Sequence, residues 1–228
     1  MVIKGSDGKA AMSTLDNPTL LEVVRASRVV AVIRGDSPEH AADAARVLFR
    51  EGIRLVEIAL TTPGTPDAIA SVAAEVPEGA YLGAGTVMTL EDVDAVIAAG
   101  ATFVVTPSVS ESVPYAAGRG VPVLAGAFTP TEAYEAWRQG AAAVKLFPAS
   151  AVGPAYLKAL TEPFPQIPFL AVGGMGLEQL PQYVAAGALG IGAGGPLVGD
   201  GARGGSAEAL AERARAFVSA ARELEGAA

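Results

Sequence analysis

The chain has 228 residues, of which 51% are hydrophobic and 18% charged, too much apolar mass for disorder and enough to bury a large core without disulfide or metal staples. Its formal charge of −8 argues against nucleic-acid and anionic-membrane partners, which select basic patches. It has no cysteine and one histidine, His40, which excludes thiol nucleophiles, Cys-ligated zinc, iron–sulfur clusters and multi-histidine metal sites.

Residues 1–16 are polar and Gly-rich, without the apolar stretch of a signal peptide, and read as a flexible lead-in. No unbroken apolar run reaches the ~18 residues of a membrane span, so a cytoplasmic protein is expected. A helix is expected from Asn17 to Ser27. Eight apolar, β-branched runs follow, beginning near Val29, Arg54, Ala80, Thr102, Val121, Ala142, Ile167 and Leu189, at intervals of 19 to 26 residues. Each interval suits a strand, a helix and two loops, and the continuous hydrophobicity suits strands covered on both faces of a parallel sheet.

Between the runs lie helix signals. Ser37-Pro38-Glu39 opens one segment that Gly52 ends; Thr89-Leu90-Glu91-Asp92 opens another that Gly100 ends; Thr129-Pro130-Thr131-Glu132 opens a third that Gly140 ends. A last helix runs from Ser206 to Leu224. The pattern predicts an α/β protein, a single (β/α)8 TIM barrel over 17–228 with an extra N-terminal helix. A doubly wound open sheet is the alternative.

In such a barrel chemistry sits inside or at the C-terminal ends of the strands, so polar residues within apolar runs carry the information. Lys145 lies in Ala142-Ala-Val-Lys-Leu-Phe-Pro. Alternation puts Ala143, Lys145 and Phe147 on one side and Val144 and Leu146 on the other, which aims the lysine inward. A buried ammonium loses hydration, its pKa falls, and the neutral amine becomes a nucleophile towards carbonyls. The competing reading is a lysine held in a structural ion pair. Glu57, in Arg54-Leu-Val-Glu-Ile-Ala-Leu, shares an inward face with Leu55, Ala59 and Thr61. It could pair with Lys145 or serve as a general acid–base with its pKa raised by burial.

The seventh run ends in Gly173-Gly174-Met-Gly and the eighth in Gly192-Ala-Gly194-Gly195-Pro, where barrels often hold phosphate on bare backbone N–H groups at a helix N-terminus. Tight turns are the plain alternative. Arg34 closes the first run and could meet an anionic substrate or a surface partner. Gly83-Ala-Gly85-Thr86 lacks the third glycine of a dinucleotide loop. His40, Glu132 and Glu135 read as solvated, and Tyr134 and Trp137 as packing on an outer helix.

Taken together, Val56-Glu-Ile-Ala-Leu-Thr-Thr-Pro63, Gly83-Ala-Gly-Thr-Val87, Phe128-Thr-Pro-Thr-Glu132 and above all Val144-Lys-Leu-Phe-Pro-Ala149 resemble the 2-keto-3-deoxy-6-phosphogluconate (KDPG) and 4-hydroxy-2-oxoglutarate (KHG) aldolases, including their phosphogalactonate branch. The resemblance runs from about Leu20 to Val198. It implies a trimeric (β/α)8 barrel using Schiff-base chemistry without a metal or other cofactor. It implies Lys145 as the imine-forming lysine, Glu57 as the proton-transferring group, Thr86 near the pyruvyl carboxylate, Phe147 beside the lysine, and Gly173 and Gly174 in the phosphate loop. Pro107, Thr61, Gly194 and Gly195 complete the expected substrate-binding set with Arg34. Thr61 and Gly195 depart from the arginine and serine of many phosphogluconate enzymes, and Arg34 could supply the missing cation.

The implied reaction is reversible cleavage of 2-keto-3-deoxy-6-phosphogluconate to pyruvate and glyceraldehyde 3-phosphate, with the phosphogalactonate and hydroxyoxoglutarate reactions as alternatives. The expected partners are that phosphorylated keto acid, pyruvate and copies of the chain itself, not nucleic acid or membrane. Two rivals from other classes are a phosphosugar isomerase or epimerase and a non-catalytic phosphate-ligand binding barrel, neither of which needs a desolvated lysine.

Overall fold

The fold is taken from a computed structural model that describes residues 15–225. Apart from Leu15 and Asp16, the expected lead-in, with Lys4 and Lys9, lies outside the described residues. Helix α1 (Asn17–Ser27) precedes eight strands: β1 (Val29–Ile33), β2 (Leu55–Ala59), β3 (Tyr81–Gly85), β4 (Phe103–Val105), β5 (Val123–Ala127), β6 (Ala143–Leu146), β7 (Phe169–Val172) and β8 (Gly190–Ala193). Every neighbouring pair is parallel and β8 pairs back to β1, which closes the barrel and rules out the open sheet. The strands start within two residues of the apolar runs, because the residues that seed each run are those buried on both sides.

Alternation sorts each strand into two layers. Val30, Leu55, Phe103, Leu124, Ala143 and Leu170 meet inside the barrel. Ala31, Val56, Ile58, Val104, Val144 and Leu146 instead join the helices in the outer layer. Helix α1 contributes Leu20 and Val24 to the inner cluster, beside Leu15 just before it. It therefore covers the end from which the strands start, and the polar chemistry is left to the other end. Its own start is fixed by the Asp16 carboxylate, which accepts the Thr19 N–H at 2.9 Å.

The remaining helices are α2 (Pro38–Arg50), α3 (Thr65–Ala73), α4 (Leu90–Ala98), α5 (Ser112–Gly118), α6 (Pro130–Arg138), α7 (Pro154–Thr161), α8 (Gln179–Ala185), a four-residue α9 (Gly195–Val198) and α10 (Ala207–Glu225). The start signals act as hydrogen bonds. Ser37 caps α2, and Thr89–Asp92 and Thr129–Glu132 form reciprocal capping boxes on α4 and α6. Glu132 is thus bonded to the Phe128 and Thr129 N–H groups, which corrects its reading as a merely solvated face. His40 is likewise not simply solvated: its Nδ1 lies 2.7 Å from Asp36 Oδ1, and that bond raises the imidazole pKa. Tyr134 is exposed but stacks on Phe164, and Trp137 packs against the outer layer. No described helix is long and apolar enough to cross a membrane.

Candidate active site

Strand β2 carries Glu57 and strand β6 carries Lys145, both inward as alternation predicted. Glu57 is 3% exposed and Lys145 6% exposed, in a barrel whose other strand residues are almost all apolar. Glu57 stands beside Val32 and Gly83 in the ladder, and Lys145 beside Gly126 and Leu170. The two do not form an ion pair among the described residues. Glu57 Oε2 is buried with no hydrogen-bond partner, and Lys145 Nζ sits 5.1 Å from the centroid of the Phe147 ring.

Burial outweighs their mutual charge in both pKa shifts. Burial pushes the Glu57 carboxyl above the ordinary carboxylate range, against the opposing charges of Lys145 and Arg34. Burial holds the Lys145 amine below the ordinary lysine range; the charge of Glu57 opposes that shift and the charge of Arg34 adds to it. Desolvation is the largest cause in both, so both groups are driven towards their neutral forms. A structural ion pair would drive them the other way, and the geometry does not provide one. An amine driven towards its neutral form and a carboxyl raised by burial, both inside one barrel, suit nucleophilic and acid–base chemistry.

Glycines make room for this pair. A methyl on Gly85 would lie 2.9 Å from the Glu57 carboxyl carbon, and one on Gly83 would lie 2.6 Å from the Phe103 ring. The Gly83-Ala-Gly85 spacing is therefore a packing requirement of the barrel interior, consistent with its poor match to a dinucleotide loop. Thr86 follows at φ 60°, in the left-handed region that β-branched residues rarely adopt. Such a residue next to buried ionisable groups is a mark of a functional site.

On the opposite wall the Pro107 carbonyl occupies the space a Gly126 side chain would fill: a Cβ there would lie 2.3 Å from it. Gly126 is the ladder partner of Lys145, so the β4 loop crosses the interior beside the lysine. Arg34 is exposed at the end of β1, with Nη1 3.7 Å from where a Gly194 Cβ would stand. Gly173 and Gly174 have φ of 102° and 73°, and the Gly173 backbone packs on Phe147 and Pro148. Arg34, Glu57, Thr86, Pro107, Lys145, Phe147, Gly173, Gly174 and Gly194 are thereby gathered at one end of the barrel. Gly195 opens α9 at that end and is exposed. Thr61 is exposed on the loop after β2, and its hydroxyl makes no hydrogen bond among the described residues.

The sequence reading passed over the buried threonines beneath this surface. Thr62 accepts the Gly35 N–H at 2.9 Å, tying the loop that bears Arg34 to the end of β2. Thr65 donates to the Ala59 and Thr62 carbonyls. Thr106 accepts the Gly126 N–H at 3.2 Å and donates to the Ser108 carbonyl at 2.6 Å, holding the loop of Pro107 against β5. The available signal was a threonine just past a strand, in Thr61-Thr62-Pro63 and Val105-Thr106-Pro107.

These features have counterparts in known proteins. The family described as KDPG and KHG aldolase matches residues 20–207. The 2-dehydro-3-deoxy-6-phosphogalactonate aldolase of Escherichia coli is 40% identical over 197 residues, 86% of this chain and 95% of that protein. The 2-dehydro-3-deoxy-phosphogluconate aldolase of Treponema pallidum is 37% identical over 169 residues, 73% of this chain and 80% of that one. A native KDPGal structure superposes with a TM-score of 0.81 at 38% identity, covering 87% of this chain and 96% of that one. The KDPG aldolase of Legionella pneumophila, with pyruvate captured as a covalent carbinolamine intermediate, superposes with a TM-score of 0.74 at 28% identity over 89% of this chain and 96% of that one. With a closed eight-stranded barrel and a family match spanning most of its length, the chain belongs to the KDPG and KHG aldolases and is a carbon–carbon lyase.

Proposed function

We propose that the chain is a Schiff-base aldolase that cleaves a 2-keto-3-deoxy-6-phospho sugar acid to pyruvate and glyceraldehyde 3-phosphate, with Lys145 as the nucleophile. The observation that carries this reading is the pair of unpaired, desolvated groups inside one barrel, Lys145 pushed down and Glu57 pushed up in pKa. The covalent pyruvate carbinolamine of the Legionella pneumophila relative supports it.

In the proposed cycle the neutral Lys145 amine attacks the C2 ketone to give a carbinolamine, and loss of water gives an iminium. Glu57 in its carboxylate form, a stronger base for its raised pKa, takes the C4 hydroxyl proton through a water. The C3–C4 bond breaks, its electron pair flows into the iminium, and the aldehyde departs from the resulting enamine. Protonation at C3 and hydrolysis then return pyruvate and free Lys145. The iminium is the electron sink, so the cycle is written without a cofactor. Arg34 and the Gly173–Gly174 and Gly194–Gly195 loops bind the anionic ends of the substrate, Thr86 and Pro107 contact the pyruvyl part, and Phe147 shields the amine from water. Thr61 meets the sugar chain at the mouth. We take the enzyme to be a cytoplasmic homotrimer, on the strength of the family resemblance.

Of the two C4 epimers, the phosphogalactonate substrate is favoured over the phosphogluconate one by a specific observation: 40% identity over 95% of the phosphogalactonate enzyme, set beside Thr61. Coupled pyruvate-release assays on both epimers and on hydroxyoxoglutarate test the reading. A kcat/KM at least about tenfold higher for phosphogalactonate, a difference near 1.4 kcal/mol, is the expected result. Equal rates on both epimers would remove the epimer assignment, and no pyruvate from any of the three would remove the reaction.

A further inference from the structure

The backing of the β8 loop comes from outside the barrel. Helix α9 has four residues, too few to hold a helical turn by itself in water. Its last carbonyls lack helical partners, as at any helix end. Arg213 of α10, half-buried, supplies them: Nε donates to the Leu197 carbonyl at 2.8 Å and Nη2 to the Val198 carbonyl at 2.8 Å. A planar guanidinium suits two adjacent carbonyls, and a cation suits the negative end of a helix.

The connection continues to the candidate site. The Leu197 and Val198 N–H groups both donate to the Gly194 carbonyl, at 3.0 and 2.8 Å. A run of hydrogen bonds thus leads from Arg213 through α9 to Gly194. Gly199 clears the path: a Cβ there would lie 2.6 Å from Arg213 Nη2. Leu197 and Val198 bury their side chains in the outer layer, and the guanidinium adds two directed bonds to their carbonyls on the side facing α10.

We propose that Arg213 is a positioning residue for recognition of the substrate phosphate, holding the Gly194–Gly195 loop in register without touching the substrate. This rests on the reading that those glycine loops bind phosphate, so the test is built to separate the two. Steady-state kinetics are measured for wild type, Arg213→Met and Arg213→Lys on a 2-keto-3-deoxy-6-phospho sugar acid and on the same acid without phosphate. Arg213→Met is expected to raise KM for the phosphorylated substrate about tenfold, in line with loss of charge-assisted hydrogen bonds, with kcat within about twofold. The unphosphorylated substrate is expected to keep its kcat/KM. Arg213→Lys restores part of the phosphate preference, since it keeps the charge and loses the fork. Borohydride trapping of pyruvate on Lys145 in each variant reports an intact barrel.

Equal losses on both substrates would reduce Arg213 to general stability and overturn the proposal. A phosphate preference unchanged in Arg213→Met would overturn it while leaving the phosphate reading in place. A wild type that does not discriminate between the two substrates would defeat the phosphate reading itself, and this inference with it.

Discussion

The carboxyl group of Glu57 lies over the bare Cα of Gly85, so close that a methyl group there would stand 2.9 Å from its carbon. Two residues along β3, Gly83 stands under the Phe103 ring in the same way, at 2.6 Å. The two glycines therefore serve different ends. Gly85→Ala pushes aside the carboxyl proposed to move the C4 proton, and a displacement near 1 Å is expected to lower kcat about a hundredfold. Gly83→Ala overpacks a buried ring and is expected to cost about 1–3 kcal/mol of stability. Thermal melts and steady-state rates on both variants check the contrast. Full activity in Gly85→Ala would mean that Glu57 does not act from its observed place.

Burial is the main cause of the lowered Lys145 pKa, and the charge of Arg34 adds to it. Removing that charge in Arg34→Met lets the pKa rise, so a larger share of Lys145 is protonated at a given pH. The acid limb of imine formation then moves to higher pH, read by pyruvate trapping at saturating pyruvate. Arg34 is exposed, so ~1 M salt, with a Debye length of ~3 Å, should move the wild-type limb in the same direction. A limb that stays in place in both experiments would remove Arg34 from the electrostatics of the lysine.

In the proposed cycle Glu57 and Lys145 divide the labour, so Glu57→Gln should separate the steps. The amide cannot take the C4 proton, and carbon–carbon cleavage is expected to slow by about a hundredfold or more. Lys145 should still trap pyruvate under borohydride. Loss of trapping together with cleavage would indicate that Glu57 is needed to form the imine.

The hydroxyl of Thr106 takes a fully buried position to satisfy the Gly126 N–H. Thr106→Val keeps the volume and strands that donor, at an expected cost of about 1–3 kcal/mol in urea unfolding. Thr106→Ser keeps the acceptor and should lie within about 1 kcal/mol of wild type. Equal losses in both would point to packing of the methyl group instead.

What could be read from the sequence and what could not follow a physical division. Strand starts, helix caps and the inward aim of Glu57 and Lys145 depend on periods of two and on residues close along the chain, and all are visible in composition and spacing. The count of repeats favoured closure of β8 onto β1 over an open sheet, and the β1–β8 pairing decides it. Charge states did not follow: whether a lysine and a glutamate on facing strands form an ion pair depends on a distance across the barrel, and the sequence left both outcomes open. Thr86 at positive φ had no signature, because its conformation is imposed by the turn it sits in. Thr62, Thr106 and Arg213 act through tertiary hydrogen bonds 15 to 27 residues away in sequence, beyond the reach of any local pattern.

Lys145 is proposed to bond covalently to a keto acid. Wild-type protein incubated with pyruvate, reduced with borohydride, digested and analysed by mass spectrometry tests it directly. A reduced pyruvyl adduct on the peptide carrying Lys145 is expected, with neither adduct nor turnover in Lys145→Met. An unmodified Lys145 peptide in an active wild-type enzyme, or turnover retained in Lys145→Met, would contradict it.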